Sequence, residues 1–176
     1  MTRMVLGVFI SFLVIFSPLL FGEATVGQKD ETVPTIQDQR LVIKIKKDIS
    51  FKEEIVLSIG PYDGLKDIDL KNGIVISVDF ESPAYIAIRG SIYYLLIDYD
   101  FYKKLTLEER KYVIAHEIGH AYAQLFRGIA AQKSADIFAL RYVRPEVAIG
   151  FLDQYCTSKI EYDERVSNIK EFISRQ

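Results

Sequence analysis

The chain has a single cysteine, Cys156, and no tryptophan. One thiol excludes an intrachain disulfide and leaves no cysteine pair from which a zinc site could be built. Cys156 is expected to be a small apolar residue of the interior. Basic excess is also missing. The formal net charge is −2 over 176 residues, so the composition gives no pointer to nucleic acid. Histidine occurs twice, and both copies stand in one stretch of five residues. No internal repeat or low-complexity tract is present. What the chain does have is tyrosine and phenylalanine, 11 of each, which suit core and sheet packing and imply no cofactor by themselves.

The hydrophobic residues are unevenly distributed. Arg3 is followed by an apolar run over residues 4–21, interrupted only by Ser11, Ser17 and Pro18. One positive charge, a long apolar stretch and then polar sequence is the layout of a secretory leader. Gly22 and Ala24 are small residues placed for cleavage after Ala24. The run, about 18 residues, is also just long enough to remain as a membrane anchor. Residues 1–24 are therefore expected to be a signal peptide or an N-terminal anchor. Either way the remainder should lie outside the cytoplasm, secreted or tethered, with membrane contact only through residues 4–21.

Residues 25–39 are polar, contain Gly27 and Pro34, and are expected to be a flexible linker. Residues 40–176 are enough for one domain with a substantial core. Its first half predicts strands. Residues 41–46 are β-branched and partly alternate, with Lys44, Lys46 and Lys47 as an outward face guarding an edge. Residues 55–59 predict a second strand. Asn72-Gly73 predicts a tight hairpin between residues 65–70 and 74–80. Residues 84–89 and 92–99 predict two more strands around Gly90, with Asp98 and Asp100 sharing a solvated face. Helices follow. Thr106 with Glu109 three residues later is a capping box for a helix reaching about Arg127 and stopping at Gly128. Further helices are predicted at 131–143, 146–155 and 162–173, the last a solvated amphipathic one. The expected fold class is α+β, with a small, mostly antiparallel sheet followed by a helical half.

The chemistry is concentrated in His116-Glu117-Ile118-Gly119-His120. Positions four apart on a helix differ by about 40° around the axis, so both imidazoles leave one face. Two ring nitrogens can then approach one zinc ion at about 2.0–2.1 Å. Glu117, about 100° further round, is placed to take a proton from water without ligating the metal. Ala115, Gly119, Ala121 and Ala123 keep this helix slim enough for close packing. A site with two histidines needs a third protein ligand. Asp136 is the candidate, with a second reading as the carboxylate that orients His116 or His120. Glu146 is a further carboxylate, better placed to begin a helix with Pro145 in its first turn.

Residues 106–120, Thr-Leu-Glu-Glu-Arg-Lys-Tyr-Val-Ile-Ala-His-Glu-Ile-Gly-His, resemble the ImmA/IrrE family of metallopeptidases. Ala135-Asp136-Ile137-Phe138-Ala139 and the residues up to Pro145 look like that family's block E-x-E-A-[ND]-x-F-A-x-x-L-L-x-P. A looser likeness exists to peptidases of the HtpX and CAAX-prenyl-protease type. The resemblance covers roughly residues 74–155. It implies a zincin-like helical half carrying the motif on its first helix, zinc on His116 and His120, and Glu117 as catalytic base. The family's next ligand is a glutamate in the second block, where this chain offers Gln132 and Ser134. Members typically act in the cytoplasm on DNA-binding repressors, a substrate class not carried over to a chain with a leader. The expected function is hydrolysis of peptide bonds in protein or peptide substrates. The alternative is a catalytically silent binding or regulatory module with an incomplete metal site.

Overall fold

Thr35 caps the first described helix: its side chain accepts from the backbone N–H of Asp38. In the computed structural model, residues 34–60, 75–76, 83–125 and 128–176 are described. The leader, most of the linker, the Asn72-Gly73 turn and the segment 65–70 lie outside them. Helix α1 (Ile36–Asp48) replaces two expectations, the end of the linker and the strand at 41–46. Val42 and Ile45 are buried while Ile43 is 66% exposed. The apolar positions that matter thus recur at helical spacing, and the apparent alternation is incidental. Lys46 and Lys47 fall in the last turn, where they complement the helix dipole and guard no sheet edge. Asp38, fully buried, accepts from the hydroxyls of Thr35 and Tyr102, and Arg110 Nη1 donates to Tyr102 at 3.2 Å. These bonds tie α1 to the helices that follow the sheet.

Strands β1 (Glu54–Gly60), β2 (Val75–Ile76), β3 (Ala84–Arg89) and β4 (Ile92–Asp98) form one sheet in the order β1-β4-β3-β2. β3 pairs antiparallel with β4 and with β2, while β1 runs parallel to β4 with Ile59 opposite Ile97. The sheet is thus mixed. Gly90 begins the two-residue loop between β3 and β4 with φ 61°, the left-handed region such a turn requires. Asp98 ends β4 and caps α2 (Tyr99–Lys104), accepting from Phe101 N at 2.9 Å. Asp100 lies in that helix and pairs with Lys103 at 3.1 Å. The two carboxylates therefore do not share a strand face, because the strand ends between them.

Four helices complete an α+β fold: α3 (Leu107–Ala123), α4 (Ile129–Ala139), α5 (Pro145–Tyr155) and α6 (Lys159–Ser174). The capping box of Thr106 and Glu109 is present. Pro145 occupies the first turn of α5, so Glu146 opens a helix. Among the described residues the motif helix is the third and not the first, since residues 36–48 and 99–104 are helical too. It also ends earlier than expected, at Ala123, because Gln124 turns left-handed at φ 53°. Ile114 and Ile118 of α3 are fully buried in one core with Leu95 and Ile97 of β4. On another side α3 packs against α4. A Cβ on Gly119 would stand 3.0 Å from the Cα of Ala135, so that glycine sets how closely the two helices approach. No helix among the described residues is long and apolar enough to cross a membrane.

Candidate metal centre

α3 delivers His116, Glu117 and His120 into one buried cluster whose ligand atoms lie within 4.8 Å of one another. The two Nε2 atoms are 3.1 Å apart, with the rings edge to face at 85°. What stands behind each ring decides what the Nε2 atoms can do. His120 Nδ1 is 2.7 Å from the carbonyl oxygen of Leu125. A carbonyl only accepts, so the proton sits on Nδ1 and the Nε2 lone pair points inward. The early end of α3 makes this contact, because the left-handed Gln124 swings Leu125 back under the ring. A non-glycine in that conformation costs about 1–2 kcal/mol, which the native packing must offset. Burial, reinforced by the neighbouring His116, lowers the His120 pKa to about 3, so this ring is neutral at ordinary pH.

His116 Nδ1 stands 2.9 Å from Asp136 Oδ1, close enough to feel its charge though off the line of a straight hydrogen bond. The carboxylate thus favours the same tautomer at His116. The Nε2 lone pair of His120 faces His116 Nε2 at 3.1 Å. A proton carried on His116 Nε2, or a metal ion held between the rings, would occupy that lone pair. Two nitrogens bound at tetrahedral angles to one ion lie about 3.3–3.4 Å apart, near the observed separation. The group formed by His116, Glu117 and His120 could hold a metal ion.

Asp136 lies behind His116, at its Nδ1, and not beside the Nε2 pair. Of its two expected roles, third ligand or orienting carboxylate, this placement suits the second, and the group that could hold a metal ion does not include Asp136. Its Oδ1 also accepts from Tyr112 Oη at 2.6 Å and Arg165 Nη2 at 2.8 Å, and its Oδ2 from Arg165 Nε at 2.9 Å. Burial disfavours its charge, but the contacts with His116 and Arg165 together outweigh burial and hold it well below the usual carboxylate range.

Gln132 offers a different oxygen. It lines the same cavity of about 380 Å³ as His116, Glu117 and His120, and its Oε1 is buried with no hydrogen-bond partner among the described residues. An orphaned buried oxygen is costly in a folded protein unless something occupies its lone pair. The two imidazoles and the carboxyl of the His116, Glu117 and His120 group fit a divalent cation, and Gln132 Oε1 is an oxygen donor in the same cavity wall. Glu117 lines the cavity, and burial pushes its pKa up to about 8, with Arg165 opposing and Asp136 adding to the rise. Cys156 is half-buried in the cavity wall and not in the core.

Comparison with family models, with curated proteins and with solved structures finds no match. The site must be judged on its own geometry. Sequence reasoning overlooked Tyr112 and Arg165. Arg165 carried a readable signal: it falls on the stripe of α6 formed by Tyr162, Val166 and Ile169, where an apolar residue is expected.

Proposed function

We propose that this chain is a zinc-dependent peptidase in which His116 and His120 hold the ion, Gln132 supplies a third, weaker donor and Glu117 is the general base. The reading rests chiefly on the two Nε2 atoms converging to 3.1 Å inside a cavity that also presents the Glu117 carboxyl. When bound, zinc would lower the pKa of water and polarise a carbonyl. The chain's own groups do the rest. Glu117 takes a proton from the attacking water and returns it to the departing amine. Leu125 and Asp136 fix the two rings, and the buried surroundings exclude competing solvent. The substrate is a protein or peptide met outside the cytoplasm, an expectation that rests on the leader-like residues 1–24.

A second reading follows from two positions. Gln132 and Ser134, the positions offered to match the resembled family's glutamate, are both neutral, and a weaker donor set favours a silent binding module. Metal content and cleavage of a denatured casein-type substrate separate the two. The peptidase reading expects one zinc per chain and cleavage that disappears in Glu117→Gln with zinc retained. Zinc without Glu117-dependent cleavage favours the binding module, and a wild-type chain that takes up no zinc rejects both.

A further inference from the structure

The last helix carries a charge where it should be apolar. Val166 and Ile169 of α6 are buried, and Arg165 lies on the same side with its side chain only 12% exposed. A hydrophobic residue of similar size would dock this helix without removing a guanidinium from water. Arg165 has an elaborate set of partners. Nε and Nη2 grip the two oxygens of Asp136 at 2.9 and 2.8 Å, Nη2 also donates to Tyr112 Oη at 3.2 Å, and Nη1 donates to Glu161 at 3.1 Å. Such a two-point grip fixes the plane of a carboxylate as well as its position. Here the plane matters, because the oxygen it presents to Nη2 is the one 2.9 Å from His116 Nδ1. A rotation of the Asp136 carboxylate would turn that oxygen away from the imidazole, and with it the preference for an inward lone pair on Nε2.

We infer that Arg165 is a positioning residue of the metal centre: from α6 it clamps Asp136, which sets the orientation of His116, so that metal binding and docking of the last helix stabilise each other. The inference rests on the zinc reading above. If docking of α6 strengthens metal binding, metal binding strengthens docking by the same factor. Thus a residue 45 positions beyond the second histidine, counting from 120 to 165, belongs to the site.

The test is zinc affinity of the full chain, measured by competition with a chromophoric chelator, for the wild type, Arg165→Met, Arg165→Lys, Asp136→Asn and the double variant Asp136→Asn/Arg165→Met. Loss of an outer partner of a metal-binding histidine typically lowers affinity about 10–100-fold, and that range is expected for Arg165→Met. Arg165→Lys keeps the charge without the planar grip and should fall between it and wild type. The double variant should bind no more weakly than Asp136→Asn, since Arg165 acts through that carboxylate. A purely structural role would make the two losses add, and would overturn the inference. So would a folded Arg165→Met that binds zinc as tightly as wild type. Should Arg165→Met fail to fold, hydrogen exchange on the wild type decides. Zinc should slow exchange in α6 more than in α1, and equal effects on both helices reject the coupling. A wild type that binds no zinc removes the peptidase reading and this inference together, whereas zinc binding indifferent to Arg165 removes this inference alone.

Discussion

Alanine at Gly119 and alanine at Gly150 are expected to shift stability in opposite directions. Both glycines lie inside helices, Gly119 in α3 and Gly150 in α5. In either helix the change from glycine to alanine is worth about 1 kcal/mol in backbone propensity. At Gly150 a Cβ would meet nothing within 4 Å, so the gain should appear nearly whole. At Gly119 the new methyl would stand 3.0 Å from the Cα of Ala135 and 3.1 and 3.2 Å from Phe138 Cβ and Cδ1. The first of these is backbone, and Phe138 is buried, so neither can yield as the tip of a flexible side chain would. Overpacking of this kind costs about 1–3 kcal/mol, and the backbone contact places this case in the upper half of that range. The net effect is a loss of about 1–2 kcal/mol. For a domain of this size, about 2–4 °C of Tm accompanies each kcal/mol. Thermal unfolding followed by circular dichroism should show Gly150→Ala raised by about 2–4 °C and Gly119→Ala lowered by about 2–8 °C. Because α4 carries both Asp136 and Gln132, Gly119→Ala should also weaken zinc binding. A Gly119→Ala variant as stable as wild type would refute the close packing of α3 on α4 and the site geometry that follows from it.

In the metal-free protein, Glu117 has a folded pKa of about 8 against an ordinary value of 4.5, so between those pH values the folded state holds a proton that the unfolded chain has lost. Stability should therefore fall as pH rises from about 5 to 8, and Glu117→Gln should flatten that slope in chemical denaturation; an unchanged slope would rule out a buried, protonated Glu117. Thr106→Ala removes a helix cap whose two reciprocal bonds are both made, and should cost about 0.5–2 kcal/mol in the same assay. Gln132→Glu puts a carboxylate where the orphaned amide oxygen now sits, and chelator competition should find zinc bound more tightly, whereas Gln132→Ala should weaken it.

Much of this protein was legible in the order of its residues. The motif helix announced itself through local chemistry: a capping box, small residues around the motif and two histidines one turn apart. The strand pair 84–89 and 92–98 was equally local, bounded by a glycine at its turn. Local signals failed where two periods coincide. Residues 41–46 satisfy a short alternation, yet only burial of Val42 and Ile45 on one side reveals a helix. The parallel pairing of β1 with β4 joins strands that are not consecutive, and no turn residue encodes such a contact.

The sequence by itself determined the chemistry available, two imidazoles on one helical face with a carboxylate beside the first, because that placement depends only on the pitch of a helix. Tertiary structure alone decided which groups stand behind the rings. Asp136 became the support of His116 and Arg165 a neighbour of the site, because docking α4 and α6 against α3 brings together residues far apart in the chain, while Leu125 supports His120 because α3 ends at the left-handed Gln124. Contacts of that kind follow from how helices pack, and spacing along one helix carries no record of them.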